Sequence, residues 1–114
     1  MSRSIRSSAA SQQTHAQIFA ALGDRTRLSL IATLSGGQPR SISELTMGTR
    51  MTRQAVTKHL RVLENVGIVN SIRTGRENLF EFNPQPIMEL QEYLELVSRQ
   101  WDQALSRLKS FVEQ

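Results

Sequence analysis

Apolar residues recur along this chain at helical spacing, lapse into β-branched and aromatic clusters, then return to helical spacing. Ile18, Phe19 and Leu22 fall on one helical face and Gly23 closes them, which predicts a helix over 15–22. Asp24 is placed to cap a second helix carrying Leu28, Ile31 and Leu34, ended by Gly36, Gly37 and Pro39. Ser41 opens a short third helix through Ile42, Leu45 and Met47. A tight turn at Gly48-Thr49-Arg50-Met51 follows, and Thr52 caps a fourth helix that Gly67 stops. Residues 68–73 then read as a strand and 79–82 as its partner, with a turn over 74–78. After Asn83-Pro84-Gln85-Pro86 a last helix carries Ile87, Leu90, Leu94, Val97, Trp101, Ala104, Leu108 and Phe111. Its spacings alternate between three and four, the mark of a heptad seam.

A short helix, a four-residue turn and a longer helix make a helix-turn-helix, and a hairpin directly after it makes a wing. The expected fold class is therefore α+β and mostly helical: a winged helix-turn-helix with a two-stranded wing and a long terminal dimerisation helix. Residues 1–13, rich in Ser, Arg and Gln, read as a disordered arm. Residues 14–114 form the winged-helix domain, with 84–112 as its dimerisation helix. That last helix would run roughly 40 Å at 1.5 Å per residue, longer than a body of about 70 residues can cover. Part of its seam needs a partner, and a second copy of the chain is the economical one. Ile18 and Phe19 from the first helix join Leu90, Leu94, Val97, Trp101, Ala104, Leu105 and Leu108 as the expected dimer interface. Trp101 is assigned to packing, and a small-molecule effector between the helices stays open.

The fourth helix divides into two faces. Arg53, Gln54, Thr57, Lys58 and Arg61 share one, and Val56, Leu60 and Leu63 share the other. The polar face holds long donors and one short hydroxyl and no acid. Such groups pair with base edges in a DNA major groove: Arg or Lys with guanine O6/N7, Gln with adenine N6/N7, Thr with a nearby base or a thymine methyl. Arg53, Gln54, Thr57 and Lys58 are accordingly the expected base readers. Ser41, Thr49, Thr52, His59, Arg61, Arg73 and Arg76 are the expected phosphate contacts, the last two at the flank and tip of the wing.

Charge strengthens this picture. The net charge is +4. Residues 50–76 hold Arg50, Arg53, Lys58, Arg61, Arg73 and Arg76 against Glu64 alone, whereas 77–114 carry an acidic excess. One face is thus built to meet a polyanion. The chain has no cysteine, which excludes disulfides and thiol chemistry. It has no apolar run near 18 residues, so a cytoplasmic location is expected. Two histidines without a phosphate loop or a nucleophile–base spacing give no basis for enzyme activity.

Three motifs in order resemble the ArsR family of winged-helix regulators. Ala21-Leu22-Gly23-Asp24-Arg25-Thr26-Arg27-Leu28 is similar to the family's opening, and Thr57-Lys58-His59-Leu60-Arg61-Val62-Leu63 with Gly67-Ile68-Val69 to its signature. Arg73-Thr74-Gly75-Arg76 is similar to its wing. The resemblance implies a homodimeric repressor bound to an inverted-repeat promoter operator. The family's metal sensors carry Cys-x-Cys in the third helix or His with acids in the final helices. Here Ile42, Ser43 and Glu44 occupy the first region and the last helix has no His, so no metal or other cofactor is expected. The partners are then double-stranded DNA and a second copy, with no membrane. An alternative reading is a protein-interaction module meeting an acidic protein. It would favour exposed aliphatics or aromatics where this chain has Arg53, Gln54, Thr57 and Lys58.

Overall fold

Side-chain caps set where the helices begin. The computed structural model describes residues 9–113. Helix α1 spans Ala9–Leu22 and α2 Arg25–Leu34. Between them Asp24 sits in extended backbone and accepts a hydrogen bond from the Arg27 amide at 3.0 Å. Helix α3, Ile42–Met47, opens on a capping box. The Ser41 hydroxyl accepts from the Glu44 amide, and the Glu44 carboxylate accepts from the Ser41 amide. Helix α4, Arg53–Asn65, is capped by the Thr52 hydroxyl, which accepts from the Ala55 amide at 3.1 Å. Gly67, at a φ of 81°, takes the left-handed conformation that turns the chain out of α4 toward the hairpin.

Three details of the expected elements differ here. Helix α1 begins at Ala9, inside the stretch 1–13 expected to be disordered. Ala9, Ala10, Gln12 and Gln13 are good helix formers and no Gly or Pro interrupts them, so α1 extends back from its apolar stripe. Residues 1–8, the rest of that expected arm, lie outside the described residues. The sheet, too, has a third strand. Strand β1, Arg40–Ser41, pairs antiparallel with β3, Glu77–Phe82, which pairs in turn with β2, Val69–Thr74, giving the order β1-β3-β2. Two residues are too few to show alternation, so β1 left no trace in the apolar pattern. The hairpin turn is also tighter than 74–78. Thr74 pairs with Glu77, leaving Gly75 and Arg76 as a two-residue loop with Gly75 at a φ of 62°. Glycine at the first central position is the II′ hairpin pattern.

The core lies where α1, α2, α3 and α4 meet the sheet. Val56, Leu60, Leu63, Ile68 and Val69 are wholly buried, and Leu34, Leu45 and Phe80 pack with them. Helix α5, Gln85–Glu113, joins this core only through its first turns. Pro86 is tolerated there because the first-turn amides have no helical partner to lose. Tyr93 stacks on His15 of α1 with ring centres 4.4 Å apart. Of the 29 residues of α5, those beyond Tyr93 run about 30 Å further and outrun the body. The Cα radius of gyration is 18.7 Å, against roughly 13 Å for a compact domain of this length.

This geometry corrects the expected dimer interface at its two inner positions. Ile18 and Leu90 are buried in the chain's own core, so they offer nothing to a second subunit. A heptad seam drifts by about 20° per repeat on a straight helix. Its first turns here face α1, and its later turns face away from the body.

Candidate nucleic-acid interface

The reading face of α4 is set by the opposite face. With Val56, Leu60 and Leu63 wholly buried, the helix cannot roll without opening the core, so Arg53, Gln54, Lys58 and Arg61 stay directed to solvent. Thr57 lies among them, half-buried, and its hydroxyl donates to the Arg53 carbonyl at 2.7 Å. Glu64, the one acid of residues 50–76, is held at the far end of the helix, where its carboxylate accepts from the Ser71 hydroxyl of β2 at 2.6 Å. The one carboxylate of that segment is thus engaged with the protein itself.

The wing stands beside this face. Arg73 folds its Nε toward the Gly75 carbonyl at 3.4 Å, and Arg76 is exposed at the hairpin tip. Arg76, Glu77 and Asn78 line an open cleft together with Ser41 and Ser43 from the start of α3 and Arg53 from the start of α4. The structure thereby brings Arg53, expected to read bases, and Arg76, expected to hold phosphate, onto one concavity. Ser43 and Asn78 belong to it as well. No periodicity marks them, because they meet only through the β1–β3 pairing.

The small hydroxyls are less free than expected. Ser41 is 8% exposed and works as the cap of α3. Thr49 gives both its hydroxyl and its amide proton to the Thr46 carbonyl, at 2.9 Å each, so neither is left for a phosphate. Thr52 still has its hydroxyl proton to give, because its oxygen acts as an acceptor in the cap.

His59 is a correction. It follows Arg53 by six residues, which at 100° per residue turns it roughly 240° around the helix, away from the reading face. Its Nδ1 lies 3.4 Å from Arg27 Nη1 and 3.7 Å from Asp24 Oδ2. In the neutral tautomer protonated at Nε2 it accepts from the guanidinium. Arg27 is the residue that the apolar pattern missed. Its Nε donates to the Ala21 carbonyl at 2.6 Å and its Nη2 to the Ala20 carbonyl at 3.1 Å. One guanidinium thus ties the end of α1 to α4. The Arg27 amide, aided by the nearby Arg27 guanidinium, holds the Asp24 carboxyl below the usual carboxylate range.

Known proteins share this arrangement. Residues 22–72, from the end of α1 into β2, match the model of a helix-turn-helix domain family. The chain is 40% identical over 79 residues to the HTH-type transcriptional regulator YuzN of Bacillus subtilis, covering 64% of this chain and 86% of that protein. An ArsR-like transcriptional regulator from Rhodococcus sp. RHA1 superposes with a TM-score of 0.82 at 31% identity, over 90% of this chain and 96% of that one. The chain belongs to the ArsR family of winged-helix transcriptional regulators. A more distant structure, at 22% identity and a TM-score of 0.66, covers 87% of this chain and 90% of its own. It is a homodimeric winged helix-turn-helix DNA-binding domain from Mycobacterium bovis and shares the fold.

Within the ArsR family, metal sensing needs a cluster of ligands. Among the described residues no three His, Asp or Glu side chains come together to hold an ion. Asp24 and His59 approach each other, but Arg27 lies beside them, and a fixed cation repels a metal. No helix among the described residues is long and apolar enough to cross a membrane.

Proposed function

We propose that this ArsR-family regulator is a homodimeric, sequence-specific repressor that occupies an inverted-repeat promoter operator. The observation that carries the proposal is the reading face of α4: Arg53, Gln54 and Lys58 exposed, no acid among them, and the helix locked by three wholly buried residues behind. Arg53, Gln54, Thr57 and Lys58 read base edges in the major groove. Arg61, Arg73 and Arg76 neutralise backbone phosphates, with Thr52 and the Ser41 cap beside them, and set the register. Homodimerisation rests on the uncovered seam of α5. Phe19, Leu94, Trp101, Leu105 and Leu108 are exposed in the single chain, with Val97 and Ala104 half-buried between them. Two-fold pairing through these residues would set two α4 helices about 34–36 Å apart, one turn of DNA. The protein would act in the cytoplasm by excluding polymerase.

Electrophoretic mobility shift with promoter DNA tests the reading helix. The double variant Arg53→Ala, Gln54→Ala is expected to lose sequence preference while remaining dimeric; undiminished specific binding would remove α4 from the role. Arg76→Ala should instead weaken binding to all sequences and lower the slope of log affinity against log salt by about one unit.

A further inference from the structure

The polar face of α4 contains one hydroxyl whose only proton is already given away within the helix. The Thr57 hydroxyl donates its only proton to the Arg53 carbonyl one turn back, at 2.7 Å. That back-bond is a helix-internal contact of the kind Thr makes when its hydroxyl folds against the preceding turn. It leaves the hydroxyl with no proton to donate and the γ-methyl as the apolar group of a short side chain among Arg53, Gln54, Lys58 and Arg61. Thr57 is half-buried, whereas those four are exposed, so its short side chain lies lower on the face than the polar arms around it. A base edge lowered between the arms meets an apolar spot and no free donor. Among the four bases only thymine carries an apolar group on its major-groove edge, the C5-methyl.

We infer that Thr57 is a specificity-determining residue that selects thymine in each half-site by contact between its γ-methyl and the thymine C5-methyl. The inference rests on the proposed reading helix and adds to it a base identity and a mechanism. The neighbouring arms supply hydrogen-bonded readout; Thr57 supplies the one apolar contact on the face. It also excludes competitors. Guanine would bring acceptors to a hydroxyl with no proton to give, and neither adenine nor cytosine carries a methyl to meet that of Thr57.

The test uses the full-length protein and a genomic fragment that it retains, with each thymidine of the bound site replaced in turn by deoxyuridine, which lacks only the C5-methyl. One position per half-site should weaken wild-type binding about fourfold, the change expected for exposing one methyl, and roughly fifteenfold when both half-sites are replaced. Thr57→Val, which keeps a methyl and loses the hydroxyl, should retain the wild-type response to uracil. Thr57→Ser, which keeps the hydroxyl and loses the methyl, should bind thymine and uracil operators equally. If the protein binds its site but no uracil substitution affects it, the thymine contact is wrong while the reading helix survives. If Thr57→Val alone loses base preference, the hydroxyl oxygen does the reading and the inference fails. If no fragment is bound with sequence preference, the reading helix and the inference fall together. The wild-type response to uracil is read in the DNA alone, and Thr57→Ser counts only where it still prefers the thymine operator over random DNA.

Discussion

Helices α4 and α5 carry similar apolar stripes, and the single chain treats them in opposite ways. Val56, Leu60 and Leu63 of α4 are wholly buried, while Trp101, Leu105, Leu108 and Phe111 of α5 are 62%, 56%, 58% and 75% exposed. The difference lies in what surrounds them. Helix α4 is enclosed by α2, α3 and the sheet, so its stripe anchors a fixed polar face. Helix α5 leaves the body after a few turns, so its stripe stays open to a second molecule. A stripe of that size is seldom left open on a lone soluble chain. One helix spends its apolar side on position, the other on association.

The contrast is sharpest under truncation of the core. Leu63→Ala should cost roughly 2–5 kcal/mol of stability, read as an earlier midpoint in urea, with the loss independent of protein concentration. A comparable loss from Leu108→Ala, measured on the monomer, would erase the distinction between the two stripes.

The next effect belongs to α5. Leu105→Glu places a charge on the open seam and should raise the dimer dissociation constant about a hundredfold, ~2.7 kcal/mol, as sedimentation measures it. The monomer fold should hold, because Leu105 is half exposed already. DNA affinity should fall with the loss of the second half-site. An unchanged association constant would mean that the seam is not the interface.

The smallest effect concerns the junction between α1 and α4. The Asp24 carboxyl is held below its usual range chiefly by the Arg27 amide. A carboxyl depressed in the folded state contributes stability that is complete above its unfolded value and disappears as pH falls through the folded one. Asp24→Asn keeps the cap and removes the charge. Its melting temperature should therefore lie slightly below wild type at pH 7, and the gap should close on acidification below about pH 4. A gap that is constant from pH 7 to pH 3 would assign the effect to the cap alone.

Much of this was legible in the sequence, for a physical reason. Asp24, Ser41 and Thr52 cap the helices they were expected to cap, because a cap is a local bond between residues three apart. The winged helix-turn-helix and its family follow from the same local signals. What escaped the pattern depends on partners distant in sequence. Strand β1 exists only by pairing with β3, and Arg27 matters because it reaches His59 across 32 positions. The same limit misplaced His59 on the DNA side and put Ile18 and Leu90 in the dimer interface. Periodicity tells that a stripe is apolar but not whose surface covers it. The bond that takes up the Thr57 hydroxyl proton was equally invisible, since a threonine's letter does not say where its proton goes.

Hydroxyl-radical footprinting on a genomic fragment retained by the purified protein tests the central claim most directly. The account predicts two equal protected patches related by two-fold sequence symmetry, with centres about one DNA turn, ~34–36 Å, apart, both lost together in Leu105→Glu. A single patch bound as tightly by the monomer, or retention of random DNA equal to that of the selected fragment, would contradict it.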